Sequence, residues 1–490
     1  MLSSWGKLVV DLQSGVLDGE LVIEVPSRSS SLADVLKHSN ACTDENFQRA
    51  DDNDRDRVSA RIVLGDCPGR ARGITRRVRI AVPKEVAEDE RRVALVPDTV
   101  AKLVEDEHEV VVQAGAGRDS YPDADYAKAG ARIAEEEPLD GAEIVVKVAA
   151  PTGEEVDGIP EGCLLVCFLD PSREEDILRR IADRRVSVFS MAAIPRTGAA
   201  QAMDAISSMS SLSGYQAVLM AAQAAGRYLP MMTTAAGTTK SAKVLVLGVG
   251  VAGLQAIATA RRLGAEVEAF DIRPEVADQV RSLGATFIEA EREEDHAEVE
   301  PEDEGPEVGR TEAFVKALLG LPPDFGRRRP EHRREEADDQ EASEQQGGYA
   351  SEQEEEKQRR DQELMTEHLS EMDVVFTTAL VPGKEAPTLV SAEMVERMKP
   401  GAVLFDLAVE AGGNCELSKP GEVVVHEHVR IYAPLNLPST MPIHASHLLS
   451  RNVASVLAHL LDDEGKLQLD FDDEITAGAV LAHDGEVREQ

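Results

Sequence analysis

The chain has 490 residues, 42% hydrophobic and 3% aromatic, enough for two or three domains with full cores and unlike a disordered chain. With 91 Asp and Glu against 52 Lys and Arg, its formal net charge is −39, which argues against nucleic acid or an anionic membrane as a partner because both require a basic patch. The acidity reads equally as a solubility device and as adaptation to high salt, where screening relieves self-repulsion.

Residues 1–76 show no sustained periodicity and end in DDNDRDR and PGRARGITRR, so they read as a poorly ordered N-terminal extension. Asp11 and Asp18 interrupt any signal-peptide core, and no stretch of about 18 uncharged apolar residues occurs, so a soluble, cytoplasmic chain is expected. From VRIAV at 78–82 to VSVFSMA at 186–192, strand-like and helix-like segments alternate, which predicts a parallel sheet wrapped by helices. Cys42, Cys67, Cys163, Cys167 and Cys415 show no CxxC or zinc spacing and read as thiols of a reducing compartment.

The segment RTGAAQAMDAISS at 196–208 is nearly bare of large side chains. On a helix Gln201, Asp204 and Ser208 share one face, with Arg196 in the loop before it. Spacing alone fits both a capped helix with a solvated polar face and a cradle for a flat ligand. A Gly/Ala-rich helical run at 212–229 then leads into KVLVLGVGVAGLQAIATARRLGAEVEAFD, where strand and helix alternation restarts.

Gly248, Gly250 and Gly253 form a GxGxxG pattern between the strand KVLVL and the helix LQAIATARRLG. The first glycine permits a tight turn, the second lets backbone approach a pyrophosphate, and the third lets helix and strand come close. Phosphate oxygens would sit at the helix N-terminus, where free N–H groups and the dipole favour an anion. Asp271, ending the next strand, would accept ribose hydroxyls and repel a 2′-phosphate, favouring NAD(H) over NADP(H), while Arg273 pulls the other way. The acidic, apolar-poor stretch at about 291–345 reads as a solvated insertion. A long helix is predicted at 444–461.

Other candidates carry bland readings. Lys147 and Arg92 fit salt-bridged structural residues, Glu410 fits a solvated loop carboxylate, and His444 and His447 lack the third ligand a metal needs, so no metal is expected.

The segments IPRTGAAQAMDAISSMSSLSGYQAV, VLVLGVGVAGLQAIATARRLGAEVEAFDIR, GGYA, TTALVPGKEAPTLVSAEMVERMKPGAVLFDLAVEAGGNCELSKPGE and LNLPSTMPIHAS together resemble the NAD(H)-binding alpha subunits of proton-translocating nicotinamide nucleotide transhydrogenases. The likeness runs from about 78 to 490 and is interrupted by the insertion; the related alanine dehydrogenases share the VPKE start and the GGxC loop. The resemblance implies two Rossmann-like, doubly wound α/β domains with a cleft between them, one built from 77–205 and 440–490 and the other from 206–439. It implies that Arg196, Gln201, Asp204 and Ser207 cradle the dihydronicotinamide. It places NAD(H) against Gly248, Gly250, Val251, Ala252, Gly253, Asp271, Ile272, Arg273, Thr378, Ala379 and Leu380, with Tyr349 of a mobile loop folding over it. The implied reaction is direct hydride transfer to or from NADP(H) on a membrane-spanning beta subunit. The implied assembly is a homodimer held to the inner face of the membrane through that partner. An alanine dehydrogenase-like oxidoreductase and a non-catalytic NAD-binding module are the alternatives. Against the former, Asp170 stands in CFLDPS where a histidine is expected, although Lys147 and Arg92 remain at matching places.

Overall fold

The computed structural model describes residues 77–288, 365–381, 384–462 and 464–488, together with the backbone of two strands nearer the N-terminus. Tyr349 and the insertion at about 291–345 lie outside the described residues. The chain forms two compact units, Met1–Ile74 and Thr75–Gln490. In the first, β1 (Glu20–Pro26) and β2 (Arg57–Val63) pair antiparallel, from Glu20 opposite Val63 to Pro26 opposite Arg57.

The larger unit contains two sheets. The first is built on β3 (Arg79–Val82), β4 (Glu109–Gln113), β5 (Arg132–Ala134), β6 (Ile144–Val146), β7 (Leu164–Cys167) and β8 (Ser187–Ser190), all parallel, in the spatial order β5-β4-β3-β6-β7-β8. Between these strands run α1 (Pro97–Glu105), α2 (Asp123–Lys128), α3 (Gly153–Gly158) and α4 (Glu175–Asp183). Strands such as LLVC are buried along their whole length, as a sheet covered on both faces requires.

The second sheet has the spatial order β13-β12-β11-β14-β15-β17-β16, comprising β11 (Lys243–Leu247), β12 (Glu266–Phe270), β13 (Thr286–Phe287), β14 (Val374–Thr377), β15 (Val403–Asp406), β16 (Val423–His426) and β17 (Val429–Tyr432). All neighbours are parallel except β16 and β17. Its helices are α5 (Ala205–Ala224), entering from the first sheet, then α6 (Val251–Arg262), α7 (Ala277–Ser282) and α8 (Ala392–Glu396). A hairpin of β9 (Met232–Thr234) and β10 (Gly237–Thr239) precedes β11, with all its strand residues exposed. Each sheet is thus doubly wound, with its chain-order reversal between β3 and β6 or between β11 and β14. Such switch points are where α/β sheets bind ligands.

The C-terminal segment returns to the first sheet. In α9 (Pro442–Leu460), Leu449, Val453, Val456 and Leu457 pack into the first core, and after α10 (Glu474–Ala479) β18 (Val480–His483) adds antiparallel to β8, followed by β19 (Glu486–Val487). Two helix boundaries depart from the periodicity reading. The small-residue helix starts at Ala205 and ends at Ala224 rather than running 212–229, and Gln201 lies before it in a separate 3₁₀ turn. The physical reason is Asp204, whose carboxylate accepts Ser207 N at 2.8 Å and starts the helix there.

α5 has no polar stripe because both ends are buried in different cores. Ala205, Met209 and Leu212 pack in the first, Ala217, Val218 and Ala221 in the second. At its middle, Gly214 lies against α6 so closely that a Cβ there would stand 2.1 Å from Ala252 O. Gly214→Ala must therefore push two helix backbones apart, and we expect it to lower unfolding stability by about 1–3 kcal/mol in urea titration, the usual range for overpacking. Unchanged stability would mean that the two helices slide freely.

Candidate functional site

The residues expected at the nucleotide turn come together at the β11/β14 switch point. Gly248 has φ +96, and a Cβ there would approach Ala379 N and Thr378 Oγ1 at 2.9 Å. At Gly253 a Cβ would stand 2.0 Å from Gly248 O, so the turn and the first turn of α6 can touch only through glycine. Around the position a Gly250 Cβ would take, nothing lies within 4 Å. The first helical bond of α6 comes from Leu254 N to Gly250 O, which leaves the N–H groups of Val251, Ala252 and Gly253 without an intrahelical acceptor. Open space above a glycine and three free amides at a helix start fit the pyrophosphate of a dinucleotide.

Asp271 is placed at this turn, but its carboxylate is already occupied. Oδ2 accepts Val249 N at 2.6 Å and Arg273 Nη2 at 3.1 Å, and Oδ1 accepts Arg273 N and Nε, each at 2.9 Å. Four bonds use the lone pairs a carboxylate offers. A ribose hydroxyl can be accepted only if Arg273, about half exposed, lets go. The Asp271 hydrogen bonds hold the Arg273 guanidinium above its ordinary pKa, against burial. Ile272 and Leu380 are exposed beside the turn.

Thr378 Oγ1 donates to Gly248 O at 2.8 Å, joining the two sides of the switch point. Behind it, two residues that sequence reasoning did not single out hold the site together. The buried Asn414 accepts from Ala379 N at 2.9 Å and donates to Ala379 O at 2.9 Å and Pro387 O at 2.8 Å. The buried Asp406 accepts from Asn414 N, Cys415 N, Ala408 N and Thr377 Oγ1, at 2.9–3.1 Å. The signal for both was the GGNC loop following a strand that ends in Asp, a carboxylate placed to fold that loop.

In the 196–207 segment, Asp204 and Ser207 meet directly, Ser207 Oγ donating to Asp204 Oδ2 at 2.6 Å. Arg196 and Gln201 are exposed, and no side-chain bond joins either to another described residue. The segment therefore combines a fixed, capped helix start with two unspent polar side chains.

The first domain presents a different chemistry at its own switch point. Lys147, buried at the end of β6, pairs with Glu155 at 2.6 Å and Glu85 at 3.7 Å. Glu85 also accepts Val148 N at 2.5 Å and Ala149 N at 3.3 Å. Burial, only partly offset by Lys147 and these amides, pushes the Glu85 carboxyl up to about 7. Arg92 forks onto Glu90 with bonds of 2.6 and 2.8 Å. Burial raises the Glu90 carboxyl, but the Arg92 bonds outweigh it and hold it below its ordinary value. Asp170 is half exposed and turned onto Ser172, accepting its Oγ at 2.6 Å. Burial pushes the Cys163 thiol up to about 12 and raises Cys167 and Cys415 as well, so none is a ready nucleophile.

The domains meet at Asn436, a residue at φ 45 whose N–H donates to Glu410 Oε1 at 2.9 Å and whose Nδ2 donates to Glu90 Oε2 at 3.0 Å. Glu410 is exposed, as the loop reading expects, and Asn436 joins it to Glu90 of the first domain.

Residues 81–213 match the family described as "Alanine dehydrogenase/PNT, N-terminal domain", and residues 217–490 match "Alanine dehydrogenase/PNT, C-terminal domain". The chain is 39% identical over 419 residues to an NAD(P) transhydrogenase subunit alpha protein of Rhodospirillum rubrum, covering 84% of this chain and 97% of that one. It is 37% identical over 410 residues to NAD(P) transhydrogenase subunit alpha of Haemophilus influenzae, covering 83% and 71%. The solved structure of a transhydrogenase from Sinorhizobium meliloti superposes with a TM-score of 0.65 at 35% identity, covering 84% of this chain and 98% of that one.

The Glu85 environment makes stability depend on pH with a definite sign. Its folded pKa lies above the ordinary value of 4.5, so between 4.5 and about 7 the folded state binds more protons than the unfolded one, and this residue's contribution to stability falls as pH rises. Glu85→Gln keeps an acceptor for Val148 N and removes the titration. The melting temperature of the parent protein relative to Glu85→Gln should decline across that window; a constant difference would mean that Glu85 stays ionised against Lys147.

Proposed function

The chain belongs to the alanine dehydrogenase/PNT family, on its NAD(P) transhydrogenase alpha-subunit branch, and from that premise we propose that it is the NAD(H)-binding subunit of a proton-translocating transhydrogenase. In this reading the turn at Gly248–Gly253 holds the pyrophosphate through the amides of Val251, Ala252 and Gly253. Thr378, Ala379 and Leu380 line the opposite side of the switch point, Ile272 flanks the adenosine end, and Asp271 takes the ribose hydroxyls once Arg273 releases it. Arg196, Gln201, Asp204 and Ser207 orient the nicotinamide. Tyr349 is assigned to the loop that covers it.

Bound NAD(H) supplies a hydride that passes to or from NADP(H) on a beta subunit, so this chain needs to provide no general acid or base. What it provides is position, the source of most of the acceleration when two groups are held at reacting distance. The observation that carries this reading is the division of spent and unspent polar groups. Lys147 and Arg92, the groups at places matching an amino-acid substrate site, are each engaged within the first domain, and Asp170, standing where a histidine is expected, is turned onto Ser172, whereas Arg196 and Gln201 are unspent. Among the described residues, no helix is long and apolar enough to cross a membrane. In the same reading, proton translocation belongs to a membrane-spanning beta subunit, to which a homodimer of this chain docks from the cytoplasmic side.

The purified chain should bind NADH yet fail to oxidise it with pyruvate and ammonia, and mixing with the matching NADP(H)-binding subunit should produce transfer to an NADP analogue. Arg196→Ala, Gln201→Asn and Asp204→Asn should each slow that transfer on the order of 100-fold, with a smaller effect on NADH affinity, because a misplacement of about 1 Å costs that much. Steady alanine-dependent reduction of NAD by the chain alone would reverse the assignment.

Cofactor choice gives a second test. A 2′-phosphate against Asp271 brings like charges together at a cost of several kcal/mol. NADH should therefore bind at least about tenfold more tightly than NADPH, or roughly 1.4 kcal/mol. Asp271→Asn should narrow the gap in fluorescence titration. Equal affinities in the parent protein would show that Arg273, not Asp271, decides.

A further inference from the structure

We infer that Asn452, a residue of the C-terminal helix α9, is a positioning residue for the 196–204 segment. Its side chain is buried, and Nδ2 donates to the carbonyl of Ala202 at 2.8 Å. The partner is a carbonyl oxygen, so the NH₂ side of the amide must face it and the orientation is fixed. The other half of the amide, Oδ1, is buried with no hydrogen-bond partner. A half-satisfied buried amide is unfavourable compared with an apolar residue of the same size. Its presence here is explained by what the donor does.

The segment needs such a donor. Its own backbone bonds are few, and two are long: Gln201 N to Gly198 O at 3.5 Å and Asp204 N to Gln201 O at 3.4 Å. Only Ala200 and Met203 anchor it in the first core. Among the described residues, Asn452 supplies the one side-chain hydrogen bond that reaches residues 196–203 from outside the segment. It grips the middle of the 3₁₀ turn Gln201–Met203, between Gln201 and the helix cap Asp204. The helix that carries it is itself held, with Leu449, Val453 and Val456 in the first core and Ser446 and Ser450 accepting Val93 N and Val96 N, each at 3.0 Å. A rigid helix therefore sets the height of the turn from which Gln201 projects.

The consequence for hydride transfer rests on the functional reading above; the anchor itself does not. Asn452→Leu fills the same space without a donor, and Asn452→Asp keeps the shape but turns a carboxylate toward the Ala202 carbonyl. In hydrogen exchange on the nucleotide-free protein, both variants should speed exchange at residues 201–204 by roughly tenfold or more, while amides in the middle of α5 and α9 keep their protection. NADH dissociation constants should stay within about threefold. Transfer with the NADP(H)-binding subunit should slow on the order of 10- to 100-fold, and the loss should largely vanish in a Gln201→Asn background, since groups acting through one another are not additive. Unchanged exchange in both variants overturns the inference, as does a transfer loss that adds fully to Gln201→Asn. If the parent protein binds NADH but never transfers hydride, while Asn452→Leu still frees the turn, the functional reading fails and the anchor stands.

Discussion

Everything in the larger unit depends on two helix backbones meeting without side chains between them. Where Gly214 of α5 lies against Ala252 of α6, the atoms are too close for a single methyl group. This contact lets one helix leave the first core and enter the second while touching the first turn of α6. Asp204 caps α5 at one end, and Gly214 touches α6 about 15 Å further on, ten residues at the helical rise. The separation between the ring cradle proposed at 196–207 and the pyrophosphate turn proposed at 248–253 is therefore set by a helix, which does not stretch, rather than by loops.

The polar groups repeat this logic at shorter range. In each domain one side chain crosses the switch point to bind backbone on the far side: Glu85 reaches Val148 and Ala149 in the first, Thr378 reaches Gly248 in the second. Asp406 and Asn414 then fasten the loop behind Thr378 from beneath. Buried polar networks of this kind are favourable only when complete, and these are nearly so. The result is a frame in which Lys147 and Arg92 of the first domain are each paired with a carboxylate, while Arg196 and Gln201 are left unspent.

The fold was legible because parallel strands buried on both faces write themselves as apolar runs, and because GxGxxG between a strand and a helix has few other uses. What the sequence did not disclose were relations between distant residues. Asp271 reads as a free ribose acceptor until Arg273, two positions away, is seen folded back on it with three bonds and Val249 N supplies the fourth. Glu410, an exposed loop carboxylate, gives no local sign of the bond it accepts from Asn436, 26 residues on. Asn452 lies 250 residues from the carbonyl it holds, and no local pattern around it hints at that bond. The start of α5 was missed for a smaller reason: a cap at Asp204 and a run of serines look alike in composition, and only geometry separates a 3₁₀ turn from the first turn of a helix.

The return of the C-terminal segment to the first sheet has a consequence for how the chain acquires its shape. β8 borders a parallel sheet and finds its outer neighbour only when β18, nearly 300 residues later, pairs with it. During synthesis the second domain emerges complete, while the first still exposes an unpaired strand edge and the apolar surface that α9 will cover. The first sheet therefore receives its last strands only after every strand of the second has been made. Until β18 and α9 are made, the first domain is open along that edge, where mispairing is a risk.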